Sequence, residues 1–156
     1  MRIVRTQNTD LIRSVVCDPQ VWAARAHDAA PAPEDWVPNT EPCIWLALLD
    51  GEPQTLRGMV LAMPESPLVY DMHIAILPQY WRSRDNVELG KAAIAWIFSH
   101  TPALKVVAQV PEDSPPVLRF AQRVGFKREG VNKQSAVRKG RLIDQTYLGI
   151  QKGEWA

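Results

Sequence analysis

The residues best suited to chemistry in this sequence are an aspartate and a histidine two positions apart in "LVYDMHIAIL", residues 68–77. This apolar, β-branched run predicts a strand, and residues two apart on a strand project from the same face. Imidazole ordinarily titrates at roughly pH 6.5, so His73 is the better candidate for a general base. Asp71 is the second catalytic candidate, and it fits binding of a charge on the substrate better than the role of a base. The same two residues also fit a structural role, with a histidine packed and hydrogen-bonded on a half-buried strand and an aspartate at its edge.

A second group of chemically capable residues is "WRSRDN", residues 81–86, which follows this strand. An amphipathic helix comes next, and the capping-box spacing of Asp85 and Glu88 predicts that it begins close to Asp85 or Asn86. Helix N-termini favour anions, and the guanidinium groups of Arg82 and Arg84 can bind phosphates through charge-assisted hydrogen bonds. The segment lacks the glycines of a usual phosphate-binding loop, so a solvated, salt-bridged turn is the alternative.

The remaining elements follow from hydrophobic periodicity and turn residues. "RIVRT" predicts a short edge strand, Asn8 or Thr9 can cap a first helix, and Asp18 followed by Pro19 begins a second. The segments "CIWLALLD", "TLRGMVLAM" and 68–77 predict an antiparallel meander, and "LKVVAQV" after the amphipathic helix predicts a strand parallel to 68–77. A last helix from Ser114 to Gly125 and a hairpin with an "RKG" turn complete the chain.

A long proline-rich segment, "AAPAPEDWVPNTEP", separates the second helix from the meander. Loops of this length in compact domains are often functional, so the segment could overhang a substrate site. A covering loop pinned by Trp36 is the equal alternative.

Composition limits the class of protein. The 156 residues are 46% hydrophobic and 22% charged, with a formal net charge of +1, which predicts a single folded domain over 1–156 and argues against nucleic acid as a partner. The sequence has neither an apolar run of about 20 residues nor a signal-peptide pattern at its N-terminus, so we expect a cytoplasmic protein that does not bind membranes. Cys17 and Cys43 are too few and too far apart for a disulfide framework or a zinc site, and no metal is expected. A monomer and a homodimer both remain open.

Two stretches and the order of the elements resemble the GNAT (Gcn5-related) N-acetyltransferases, especially the branch that acetylates protein N-termini or small amines. "SPPVLRFAQRVGFKREGVNKQSAVRKGRLIDQTYLGI" is similar to the family's last helix, its "GF" ending and its closing strands, and "HIAILPQYW" is similar to its "L-x-V-x-P-x-x-R" strand end. Members of this shape also occur among bacteriophage proteins. The resemblance implies an α/β fold with a mixed, mostly antiparallel twisted sheet, a central splayed pair of parallel strands and flanking helices.

The resemblance also implies acetyl-CoA as cosubstrate, bound where "MHIAIL" and "KVVAQV" splay apart. Unpaired backbone groups around Ile74, Ile76 and Leu77 would bind the pantetheine and polarise the thioester carbonyl. The pyrophosphate would lie on the following loop, which in the family reads "Q/R-x-x-G-x-G/A". A gapless match puts Trp81, Arg84 and Asn86 at the three signature positions, and all three depart from the pattern.

Further residues become candidates for cofactor binding through the resemblance. The whole degenerate loop is included: Trp81, Arg82, Ser83, Arg84, Asp85 and Asn86. Ser114 stands where the family commonly has an asparagine, and Phe120 precedes Ala121, which occupies the place of the tyrosine that many members use as general acid. Tyr80 and Tyr147 are possible replacements for that acid.

The function implied is transfer of an acetyl group from acetyl-CoA to a primary amine, in a small molecule or at a protein N-terminus. The partners would then be a CoA thioester, of which a longer acyl chain is a variant, and an amine. The lost loop glycines and the missing tyrosine favour an alternative, a catalytically impaired protein of this fold that serves as a binding or structural component.

Overall fold

A computed structural model describes residues 1–155, in which seven strands form one sheet in the order β1-β2-β3-β4-β5-β7-β6. The strands are β1 (Arg2–Thr6), β2 (Ile44–Asp50), β3 (Thr55–Pro64), β4 (Val69–Ile76), β5 (Lys105–Pro111), β6 (Lys127–Arg138) and β7 (Arg141–Gln151). The helices are α1 (Thr9–Val16), α2 (Pro19–Arg25), α3 (Asn86–His100) and α4 (Pro115–Val124). Every neighbouring pair of strands is antiparallel except β4 and β5, which are parallel.

The predicted order of elements is confirmed. Strands β2, β3 and β4 form the meander, β1 lies at an edge of the sheet, and α3 crosses over between the two parallel strands. The mixed sheet with helices on both faces is the predicted fold class.

Helices cover both faces of the sheet, each over its own apolar cluster. On one face α3 and α4 pack over Leu46, Leu148 and their neighbours. Gly90 permits the close approach of these two helices, because a Cβ at this position would lie 2.9 Å from a methyl group of Val124. On the other face α1 packs Ile12 and Val15 against residues of the central strands.

The proline-rich segment 29–42 is held against α1 and α2. The Trp36 ring lies edge-on between Trp22 and Trp45, with centroids 6.0 Å from each. The Arg13 guanidinium donates to the backbone carbonyls of Pro33 and Trp36. These contacts support the covering loop pinned by Trp36.

The hairpin of β6 and β7 closes with the predicted "RKG" turn. Lys139 and Gly140 have φ angles of 53° and 72°, the pattern of a two-residue turn that matches the twist of the strands. The Asp28 carboxylate accepts hydrogen bonds from both backbone amides, at 2.9 and 2.7 Å, and these bonds lower the pKa of Asp28. The hairpin tip is therefore fastened to the segment that follows α2.

Among residues 1–155, the helices are all too short or too polar to cross a lipid bilayer.

Candidate functional site

The central parallel strands part after three residues of pairing. Val69 lies opposite Lys105 and Asp71 opposite Val107, and beyond that point no pairing joins β4 to β5. The rest of β4 continues to pair with β3 on its other side, up to Gly58 opposite Ile76. Beyond Asp71, the edge of β4 that faces β5 consequently has no partner strand.

The backbone at this edge can be assigned from the alternation of the strand. Because the Leu77 amide donates to the Arg57 carbonyl at 2.9 Å, odd-numbered residues direct their backbone groups to β3 and even-numbered ones to the gap. Ile74 and Ile76 therefore face the opening. The Ile76 carbonyl accepts a hydrogen bond from the Trp81 indole at 2.7 Å. On the gap side, the backbone groups of Ile74 have no hydrogen-bond partner within residues 1–155.

The expectation of unpaired backbone groups at Leu77 is wrong. Its amide bonds to β3, and its carbonyl accepts the amide of Tyr80 at 2.9 Å. The predicted strand end is already turning there into the short 3-10 helix Pro78–Tyr80.

A cavity of about 250 Å³ opens where the strands part. Apolar side chains of α4 form one wall, and β4 and β5 form another. Its lining comprises Ala24, Arg25, His27, Met72, His73, Ile74, Ala108, Gln109, Val110, Pro111, Ser114, Val117, Phe120, Ala121, Val124, Phe126, Arg138 and Gln145. Of the predicted site residues, the cavity thus brings together His73, Ile74, Ser114 and Phe120.

Asp71 and His73 contact each other, as their spacing predicts. His73 Nε2 lies 3.2 Å from Asp71 Oδ2, and Asp71 is only 6% exposed. In the tautomer in which Nε2–H donates to the Asp71 carboxylate, the lone pair of Nδ1 remains available. The other Asp71 oxygen, Oδ1, is buried and has no hydrogen-bond partner within residues 1–155. The pair can serve as a base whose orientation is fixed by a carboxylate.

The loop Trp81–Asn86 forms without any left-handed backbone. Apart from glycines, only Gln134 and Lys139 have positive φ in the part of the chain that the structure describes. Asn86, at the last signature position of the family loop, therefore does not take the positive φ that a glycine allows. Its role is a different one, since the buried Asn86 side chain donates to the Tyr80 carbonyl at 2.8 Å and ties the loop to the start of α3.

The N-terminus of α3 is not capped by a side chain. The helix begins at Asn86, as predicted, but the capping box is absent because the Asp85 carboxylate contacts the Ser83 hydroxyl, at 3.5 Å. Within residues 1–155 the backbone amides of Asn86, Val87 and Glu88 have no hydrogen-bond acceptor. Three donors at the positive end of the helix dipole can thus take an anion.

The two loop arginines are free to reach such an anion. Arg82 and Arg84 are exposed, and neither forms an ion pair with any residue in 1–155. A solvated turn remains compatible with this geometry, whereas a salt-bridged one does not.

Helix α4 begins directly after Ser114 and ends before Gly125, as expected. The Ser114 hydroxyl makes no cap hydrogen bond and lies 3.3 Å from an Asp113 carboxylate oxygen instead. Ala121, at the place of the family tyrosine, is buried and lines the cavity. Neither possible replacement, Tyr80 or Tyr147, lies on the cavity lining. Tyr80 instead stacks under the Arg57 guanidinium, whose central carbon is 4.2 Å from the ring centre.

Five polar residues on the cavity wall were missed by reasoning from the sequence: Arg25, His27, Gln109, Arg138 and Gln145. Gln109 carried a readable signal, because it is a polar residue inside the otherwise apolar run "VVAQV". Arg25 and Arg138 carried none, since they come to line one cavity only when the hairpin folds against the end of α2.

Solved structures of GNAT acetyltransferases have the same fold. The spermidine N-acetyltransferase from Vibrio cholerae, in complex with CoA and spermine, matches with a TM-score of 0.81 over 99% of this chain and 96% of its own, at 13% identity. A chimera of the Vibrio cholerae enzyme with hSSAT matches with a TM-score of 0.67 at 18% identity, over 72% of this chain and 70% of its own. The GNAT-family acetyltransferase from Bacillus anthracis gives 0.62 at 20% identity, over 72% and 67%. No protein-family model and no curated protein matches the sequence. This chain therefore has the GNAT fold, as the resemblance implied.

Proposed function

Starting from the GNAT fold, we propose that this protein transfers an acetyl group from acetyl-CoA to a primary amine. The observation that carries the proposal is the parting of β4 and β5 beside His73, which joins an open backbone edge, a cavity and a candidate base. The Vibrio cholerae enzyme of the same fold, which binds CoA, supports it.

The donor side of the cleft fits a CoA thioester. Bound acetyl-CoA would supply an activated acyl carbon and a thiolate leaving group. The backbone groups of Ile74 face the gap, where they can bind an amide of the pantetheine or the thioester oxygen as negative charge develops on it. The free amides at the start of α3, with Arg82 and Arg84, form the anion-binding end.

The acceptor side requires an unprotonated amine. His73 Nδ1 takes the proton that the amine loses as its N–C bond to the acetyl carbon forms, while the C–S bond of the thioester breaks. Asp71 holds the imidazole through Nε2 and stabilises its positive charge. Since Ala121 stands at the place of the family tyrosine, solvent supplies the proton to the departing thiolate.

Ligand binding and turnover together test the proposal. At about one hundred times its dissociation constant, acetyl-CoA should stabilise the fold by roughly 2.7 kcal/mol, and an amine panel should release free CoA thiol. Longer acyl-CoA thioesters belong in the same panel, and stronger stabilisation by one of them would identify it as the donor. Absence of both a thermal shift and calorimetric heat at millimolar CoA would reject the proposal.

A second candidate function is binding without catalysis. The Trp81 indole occupies the Ile76 carbonyl at the open edge, and Ala121 offers no acid, as expected for a cleft that has lost its reaction. This candidate predicts that CoA release stays at the uncatalysed rate with every amine tested, whether or not CoA binds.

A further inference from the structure

The cavity beside His73 has an apolar end and a polar end. Val117, Phe120 and Ala121 of α4 form the apolar end, which suits the pantetheine arm of the donor. The polar end is formed by the residues that reasoning from the sequence missed, from the end of α2, from β5 and from the hairpin. If the proposed function holds, this polar end faces the acceptor amine.

Donors of hydrogen bonds dominate the polar end. Gln109 Oε1 accepts from the Asn132 amide at 3.2 Å, which leaves the Gln109 NH₂ group without a partner in residues 1–155. Gln145 Oε1 lies 3.0 Å from the Ser135 hydroxyl, so its NH₂ group is likewise left over. Both amides can therefore donate into the cavity.

The charged side chains that line this end are both arginines, while the buried Asp71 carboxylate, held by His73, lies outside the lining. The cavity lining contains Arg25 and Arg138 but no aspartate or glutamate. Arg138 is neutralised by Asp113, with Nε 3.1 Å from the carboxylate, and it also donates to the Ala24 carbonyl. Arg25 forms no ion pair within residues 1–155, so one guanidinium charge remains uncompensated.

From these observations we infer that the acceptor is an amine that also carries a carboxylate, as an amino acid or a peptide does. The carboxylate binds the Arg25 guanidinium and the amide donors of Gln109 and Gln145, while the amine nitrogen faces His73. A polyamine is disfavoured because its additional ammonium groups would meet the lining arginines and no lining carboxylate. This inference rests on the proposed acetyl transfer and names its substrate class.

The test compares acceptors that differ only in the carboxylate. Amino acids are assayed against their carboxamides and against spermidine, with acetyl-CoA at saturation and rates corrected for the fraction of unprotonated amine. We expect kcat/KM to favour the carboxylate by about tenfold or more, the value of a hydrogen-bonded charge pair. Arg25→Gln should abolish this preference through KM, and Arg25→Lys should keep part of it. Arg119→Gln, on the exposed face of α4, is the matched control and should change nothing.

The outcomes distinguish failure of the carboxylate inference from failure of the proposed acetyl transfer. Turnover with equal or better use of carboxamides or spermidine overturns the inference and leaves the proposed function intact. Retention of the carboxylate preference in Arg25→Gln also overturns it. Failure of CoA to bind rejects the proposed function, and the inference falls with it.

Discussion

The two helices that follow the parting strands, α3 after β4 and α4 after β5, begin in opposite ways. At α3 the amides of Asn86, Val87 and Glu88 are without acceptors, and two unpaired arginines precede them. At α4 the first two residues are prolines, which have no N–H, and the next amide, of Val117, bonds to the Ser114 carbonyl at 3.1 Å. Of these two helices, both within residues 1–155, α3 alone offers a cluster of backbone donors that a phosphate could bind.

This difference suggests separate binding roles for the starts of α3 and α4. Under the proposed function, the start of α3 would bind anions through backbone amides and guanidinium groups. The α4 side of the cavity would provide apolar contact, next to His73 and the polar residues Arg25, Gln109 and Gln145. Substitutions at one end should therefore change donor binding, and those at the other should change the reaction or the acceptor.

The largest effect is expected from removing the base. His73→Ala should lower kcat by roughly 10² to 10⁴, the usual contribution of a positioned general base, with the affinity for CoA unchanged. Steady-state kinetics and calorimetry measure the two quantities. A variant with normal kcat would remove His73 from the mechanism. A variant with lost CoA affinity would contradict the separation of catalysis at His73 from CoA binding at the start of α3.

The next largest effect concerns the phosphate end. Arg82→Ala and Arg84→Ala should each weaken CoA binding by about tenfold, and by more when combined, because each removes a charge-assisted hydrogen bond. Calorimetry gives the dissociation constants. Arg123→Ala, an exposed arginine of α4, is the control that should leave them unchanged. Equal weakening by the control would indicate only a general charge effect.

A smaller effect of opposite sign is expected at Asp85. Its exposed carboxylate caps nothing and lies at the end where phosphates would bind, so Asp85→Asn should strengthen CoA binding by about two- to threefold at low salt. The gain should shrink as the ionic strength rises. A loss of affinity would contradict the anion-binding assignment of this end.

The smallest effect concerns the hairpin tip, whose Lys139 and Gly140 amides are held by Asp28. Backbone amides lower the pKa of Asp28 in the folded state, so its carboxylate stabilises the fold above the unfolded pKa of roughly 3.9 and ceases to do so as the pH falls through the lower folded value. Thermal melts of Asp28→Asn should therefore show a lower Tm than the unmodified protein at neutral pH, and the difference should vanish in acid. Asp35→Asn, at an exposed carboxylate without an ion pair in residues 1–155, is the control.

Much of the fold was predictable because its signals are local. Alternation and turn residues predicted the meander, Pro115 and Gly125 bounded α4, and "RKG" predicted the turn at Lys139 and Gly140. The pairing of Asp71 with His73 followed from their spacing on one strand.

The details of the site depended on contacts that no local pattern encodes. The Trp81 indole reaches back five residues to a carbonyl, and Asn86 anchors the loop through its side chain and not through a positive φ. The polar end of the cavity brings Arg25 together with Gln109 and Gln145, which are far apart in the sequence. Long-range packing determines where these side chains lie. The sequence could therefore indicate the loop 81–86 and the candidate base His73, but not the polar residues of the cavity.

The proposed function requires that CoA bind along the open edge of β4, with its phosphates at the start of α3. A titration of CoA followed through the backbone amide NMR signals tests it most directly. We expect shifts at Ile74, at the loop 81–86 and at the amides of Val87 and Glu88, with little change at the start of β6. Unchanged spectra at millimolar CoA, or shifts confined to residues away from β4 and α3, would contradict it.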